Sequence, residues 1–346
     1  ESGVRVVCPA AARRDHHNLS ARIRQIEPAG MTNLSGGWLE GRRQTERFHT
    51  KDRSNRVLLM TDGLANQGIV DPDHLAQLFG EARASGVATS TIGFGADFDE
   101  RLLERLADAG GGNTHYIEHP DQASAIFLSE LDDLLTLSAQ NLTADIRLEE
   151  GVELVAIHHS YPRENHDRGV RLRLGDLYGS EPRQLLIELS AERSGASEVT
   201  VARVELSGEV LDHDGAVRSR TVVIPVDFSP RGGPIEHPEV RRTLAFLRAA
   251  AARREALVDL HEGRTAMGAR KLRAAAAVVR ERAHDTEGLE EAGDLNLMAS
   301  HMEDDDFSSQ DVKYTRQRAY DGSRSRKARA RLLSRLERAK KGRPSD

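Results

Sequence analysis

One cysteine, Cys8, is all the chain contains, so no intrachain disulfide can form, and a reducing, cytoplasmic setting is mildly favoured over an oxidising one. Aromatic residues are scarce at 4% of 346 residues, with Trp38 the single tryptophan. No apolar run approaches the roughly 18 residues that a membrane-spanning helix needs. Net basic charge is also lacking. The formal charge is -6, which argues against a nucleic-acid-binding protein as a whole. Cys/His clusters of the kind that hold zinc are missing too. The neighbouring pairs His16-His17 and His158-His159 cannot aim both rings one way from a helix or strand. Ser35 and Thr61 have no evident histidine partner, and no Gly-x-Ser-x-Gly elbow surrounds them, so a nucleophile-base-acid set is not expected. The reading is non-enzymatic.

What is present is ordinary globular sequence, 38% hydrophobic and 30% charged, and long enough for two or three domains. From Val4 to Leu137 strand-like and helix-like runs alternate. "VRVVCP" reads as a short strand and "DHHNLSARIRQI" as a helix with Leu19, Ile23 and Ile26 on one face. "VLLM" (57–60) is a continuous apolar run, as expected of a parallel strand covered on both faces. The helix that follows is bounded by Asp71 as N-cap, Pro72 at the first helical position and Gly86 just past its end. "VATSTIGFG", "DERLLERLADAG", "THYI" and "DQASAIFLSELDDLLTL" continue the alternation. That rhythm predicts a doubly wound, Rossmann-like α/β domain over 1–137.

Short alternating runs over 141–229 predict an antiparallel β-sandwich-like domain. Residues 237–283, rich in alanine, predict a helical hairpin. Residues 284–346 read as a partly disordered tail, acidic over 285–306 and basic over 323–343. A sharper reading of the same residues is an anionic partner or a clasp between the two blocks.

In an open α/β sheet, ligands collect at the carboxyl ends of the strands. Two loops belong there. "EPAGMTNLSGGWLEG" (27–41) carries Thr32, and "LLMTDGLANQG" (58–68) places Asp62 where a strand ends. A hydroxyl and a carboxylate are hard oxygen ligands, suited to Mg²⁺, Mn²⁺ or Ca²⁺. Taken singly, Asp62 could serve only a helix dipole and Thr32 only a helix cap. Asn33, Ser35 and Asn66 read as loop hydrogen-bonding residues. "GFGADF" suggests a phosphate loop, but the third glycine of a dinucleotide fingerprint is missing and Asp97 would repel a pyrophosphate.

"GMTNLSGGWLEG", "LLMTDGLANQG" and "TIGFGADFDERLLERLADAGGGNTHYI" resemble the second half of a von Willebrand factor type A domain, in its bacterial and inter-alpha-trypsin-inhibitor-like branch. The resemblance covers about residues 1–137, with the three segments in the expected order. It implies a metal-ion-dependent adhesion site in which Thr32 supplies the hydroxyl of the second loop and Asp62 the acid of the third. A partner's Glu or Asp would complete the ion's shell. The first loop of such a site reads Asp-x-Ser-x-Ser, and no such pattern precedes Thr32. The chain starts at Glu1, almost directly with the "VRVV" run, which resembles an edge strand. The expectation is an N-terminally truncated domain in which metal binding is weak. Two other roles compete: an accessory subunit of an ATPase- or chelatase-like assembly, and a nucleotide-binding α/β enzyme.

Overall fold

The computed structural model describes residues 3–10, 19–27, 31–48, 54–179, 183–191, 198–211, 217–229 and 237–324. The chain divides into two compact units, Glu1–Gln140 with Glu209–Ser219, and Asn141–Gly208 with Arg220–Asp346.

The first unit begins with two helices, α1 (Leu19–Arg24) and α2 (Leu34–Glu46). Strands β1 (Asn55–Thr61), β2 (Val87–Phe94) and β3 (Gly111–Ile117) then form a parallel sheet in that spatial order. They are joined by α3 (Pro72–Ala84) and α4 (Glu100–Ala109), and α5 (Ala123–Leu135) follows β3. The punctuation of α3 is as its sequence dictates. Asp71 accepts the His74 N–H at 2.7 Å, Pro72 opens the helix, and Gly86 adopts φ +91° after its end.

Side-chain alternation along the strands separates two faces. Val57 and Leu59 of β1 join Trp38 of α2, Leu75 and Phe79 of α3, and Leu102, Leu103 and Leu106 of α4 in one apolar core. Trp38 stacks on Phe79 at 4.0 Å between ring centroids, and its indole N–H donates to the Thr89 hydroxyl at 3.0 Å. β2, flanked on both sides, is buried from Val87 to Gly93.

The opposite face holds a buried polar cluster. Glu130 of α5, fully buried, lies between three strands. It accepts from Arg56 of β1 at 3.1 Å, Ser90 of β2 at 2.9 Å and Asn113 of β3 at 3.0 Å, and lies 2.6 Å from His115 Nε2. α5 therefore turns an acid inward while Leu128, Leu131 and Leu135 face outward, 50–77% exposed.

Two expectations for this unit need correction. Residues 3–10, containing the "VRVVCP" run, form no strand. The 57–60 run is not covered on both faces, because Met60 is 43% exposed and β1 pairs only with β2 among the described residues.

With most of their residues in the second unit, β4 (Leu137–Leu148), β5 (Val152–Ile157), β6 (Arg163–His166), β7 (Gly169–Tyr178), β8 (Ile187–Ala191), β9 (Val199–Leu211) and β10 (Val217–Phe228) make two sheets. One has five strands in the order β10-β9-β4-β7-β6, and the other is the antiparallel pair β5-β8. Leu154 and Ile157 of β5 and Ile187 of β8 pack on the same core as Ile146, Val170 and Leu172 of the larger sheet.

Helices α6 (Pro238–His261), α7 (Thr265–Arg282), α8 (Thr286–Glu303) and α9 (Ser309–Ser323) complete the unit. Their core is mostly alanine, leucine and valine, with Ala249, Ala256, Ala269, Ala292 and Ala299 fully buried. Small side chains let α6 and α7 approach closely. A Cβ at Gly268 would lie 3.2 Å from the Ala256 carbonyl oxygen.

The expected tail is thus helical over most of 286–323. Cations from other helices meet several acids of the acidic run, while Asp304, Asp305 and Asp306 are exposed. Arg242 pairs with Asp285 and Glu287, Arg253 and Arg318 with Glu291, and Arg273 with Glu303. Most of the basic block, from residue 325 on, lies outside the described residues.

Candidate functional site

β1 ends at Thr61, and the chain turns sharply. The Thr61 hydroxyl donates to the Gly63 carbonyl at 2.9 Å and accepts the Gly63 N–H at 3.3 Å, which leaves Asp62 projecting, exposed, from the carboxyl edge of the sheet. Thr32 precedes α2 at the same edge. A Cβ built on Gly63 would lie 3.3 Å from the Thr32 hydroxyl oxygen, so that hydroxyl sits directly beside the Asp62-Gly63 turn. The two residues singled out from sequence are brought to one place.

Around them the loops interlock. Thr32 N–H donates to Asn66 Oδ1 at 2.8 Å, and the Thr32 carbonyl accepts from the backbone of Asn66 at 3.2 Å and of Gln67 at 3.3 Å. Asn33 caps α2 by accepting the Gly36 N–H at 2.8 Å. Ser35, buried, accepts the Ile69 N–H at 2.8 Å and donates to Asn33 at 3.3 Å. Gly68 has φ +75°, and a Cβ there would fall 2.5 Å from both Asn33 Oδ1 and Ser35 Oγ. Only glycine fits that position. Asn33 and Ser35 thus spend their oxygens within the loops. Sequence inspection pointed to that role without showing which bonds they make.

The donor chemistry of this edge, one hydroxyl and one exposed carboxylate, fits a hard divalent ion but supplies only two protein oxygens. Among the described residues no group of three or more His, Cys, Asp or Glu side chains could hold a metal. Asp-x-Ser-x-Ser does occur once in the chain, at 321–325, but at the end of α9. Asp321 there is buried and accepts from Gln317 at 3.1 Å, and the Ser323 hydroxyl donates to the Tyr320 carbonyl at 2.9 Å. The described part of that copy, Asp321 to Arg324, lies at a helix terminus and not in a strand-end loop.

The glycine-rich loop after β2 does not behave as a phosphate cradle. Asp99 caps α4 by accepting the Arg101 and Leu102 amides at 2.9 and 3.0 Å, the same groups a phosphate would need. Of the histidine pairs, His16-His17 lies outside the described residues. His158 faces Glu188 at 3.1 Å, whereas His159 is buried.

The sheet order, the two edge loops and the helices on both faces agree with one family, and residues 1–133 match the model of the von Willebrand factor type A domain. The chain carries a von Willebrand factor type A domain. Over 198 residues it is 28% identical to the uncharacterized protein YfbK of Escherichia coli (strain K12), covering 56% of this chain and 34% of that one. Over 138 residues it is 27% identical to the inter-alpha-trypsin inhibitor heavy chain H1 of Sus scrofa, covering 38% of this chain and 15% of that one. The chain therefore spans only a minor part of these curated relatives. Among solved structures, the von Willebrand factor type A protein from Catenulispora acidiphila superposes with a TM-score of 0.64 at 18% identity, covering 86% of this chain and 71% of that one. At that identity the likeness is one of fold, and it extends beyond the residues of the type A domain. No helix among the described residues is long and apolar enough to cross a membrane.

Proposed function

We propose that the type A domain of this chain is a non-enzymatic protein-binding module that engages a partner's Glu or Asp through a divalent ion at the carboxyl edge of its sheet. Thr32 and Asp62 are its protein ligands in this chain. The observation that carries the reading is the placement of the Thr32 hydroxyl against the Asp62-Gly63 turn, with Asp62 exposed and therefore available. When bound, the ion supplies an open coordination position that attracts a carboxylate. The protein's part is to hold a hydroxyl and a carboxylate at one edge and keep them in contact with solvent. Mg²⁺ is the natural ion for so few protein ligands, because it retains several waters.

The test is a Mn²⁺ titration of the chain followed by electron paramagnetic resonance. Saturable uptake that weakens in both Asp62→Ala and Thr32→Val supports the reading. Identical curves for all three proteins, or no uptake at all, would sink it.

A further inference from the structure

We infer that Asn66 is the positioning residue of this edge: its side chain and its own backbone grip Thr32 and thereby hold the Thr32 hydroxyl beside Asp62. The inference deepens the metal reading and rests on it for its functional meaning, though its geometry can be tested separately.

Thr32 lies outside regular structure. α2 begins only at Leu34, with Asn33 as its cap, so neither helix nor strand bonds fix the peptide groups on either side of Thr32. Those groups are instead satisfied by a single residue and its neighbour. The Thr32 N–H donates to Asn66 Oδ1 at 2.8 Å, and the Thr32 carbonyl takes the Asn66 N–H at 3.2 Å and the Gln67 N–H at 3.3 Å.

Bonds on both flanking peptides fix the direction of the Cα–Cβ bond between them, and so place the Thr32 side chain at this edge, leaving only the staggered χ1 rotamers to set the hydroxyl. The hydroxyl meets the Cα of Gly63 closely enough that an added Cβ would stand 3.3 Å away. Because the Thr32 N–H is a donor, the Asn66 side chain must present its oxygen to it. Asparagine, with an acceptor on a short stem, provides that reach.

Asn66 is exposed and belongs to no apolar core. Its replacement therefore removes the grip without opening a cavity. If Asn66 merely shapes a surface turn, its loss leaves Thr32 unaffected. Outer-sphere partners of this kind commonly change metal affinity by about 10–100-fold when removed.

The experiment compares the full chain with Asn66→Ala and Asn66→Asp, the second of which keeps the acceptor oxygen. Three quantities are read: exchange of the Thr32 amide by NMR, the nuclear Overhauser contact between the Thr32 side chain and Gly63 Hα, and Mn²⁺ affinity. In Asn66→Ala the Thr32 amide is expected to exchange at least about tenfold faster, the contact to Gly63 to fade, and Mn²⁺ to bind on the order of tenfold more weakly. Asn66→Asp should restore all three, and the melting temperature should scarcely move in either variant. Unchanged exchange and an unchanged Gly63 contact in Asn66→Ala would overturn the inference. So would a faster-exchanging amide with undiminished Mn²⁺ affinity. If the parent chain takes up no Mn²⁺, the metal reading fails alone, and the two NMR quantities still decide whether Asn66 holds Thr32.

Discussion

His159 shows how a single side chain links pH to folding. It is 5% exposed, its Nδ1 accepts the Leu186 N–H at 3.2 Å, and its ring stacks on Tyr161 with centroids 5.7 Å apart. Burial, reinforced by the neighbouring His158, lowers its pKa from 6.5 to about 4. The folded chain therefore keeps a neutral imidazole where the unfolded chain takes up a proton. Its stabilising contribution is complete above pH 6.5 and is lost as pH falls from there towards 4, amounting to about 3 kcal/mol across that window. Urea unfolding between pH 7.5 and 4.5 should show this loss, and His159→Phe should flatten the dependence. An equally steep profile in the variant would show that other groups carry it. Asp145 works in the same direction, losing its stabilising contribution as pH falls. Burial opposes its ionisation, but hydrogen bonds from Arg171 and Arg147 and the nearby His166 hold its carboxyl below the usual range.

At the scale of elements, Glu130 fastens α5 to all three strands of the parallel sheet. In Glu130→Ala the buried Arg56 guanidinium would lose its carboxylate. The expected cost is about 3–5 kcal/mol in chemical denaturation, because a buried charge then loses a carboxylate partner and Ser90 and Asn113 lose their shared acceptor. Glu130→Gln, similar in shape, should lose less. This cluster was not legible in the sequence. "DQASAIFLSELDDLLTL" shows a leucine-rich helix with acids between the leucines, and the ordinary inference puts the acids in water. Arg56, Ser90, Asn113 and His115 belong to three strands far apart in the chain, and no periodic pattern links them. By contrast, α3 could be read almost residue by residue, because Asp71, Pro72 and Gly86 act locally. The placement of Thr32 and Asp62 was legible for a similar reason: each lies within two residues of an element whose type the sequence specifies. Their interlocking through Asn66, Ser35 and Gly68 was not, since it depends on the shapes of two loops.

For the molecule as a whole, the acidic stretch after Asp285 shows how a charge run can mislead. Local composition suggests a solvated tail. Its partners, Arg242, Arg253, Arg273 and Arg318, are spread over three other helices, and only the packed fold brings them together. Glu291 is the centre of that lattice. Burial works against its charge, yet Arg253 and Arg318 hold its carboxyl below the usual glutamate range. Glu291→Ala should therefore destabilise the helical unit by about 3–5 kcal/mol. Far-ultraviolet circular dichroism, to which α6–α9 contribute heavily, is the measurement that follows it. A melting curve unchanged from the parent chain would show the lattice to be energetically idle.

Trp38 makes the companion measurement possible. It is the one tryptophan of the chain, 1% exposed, and it belongs to the type A unit. All tryptophan emission therefore comes from a single address, between Phe79 and Thr89. Its spectrum should be blue in the folded state and shift red when that unit alone opens. In Glu291→Ala the fluorescence transition should stay where it is while the dichroism transition moves. A matched shift of both would mean that the lattice's influence is not confined to the unit that contains it. The scarcity of aromatic residues thus gives the protein a built-in optical label that needs no chemical modification.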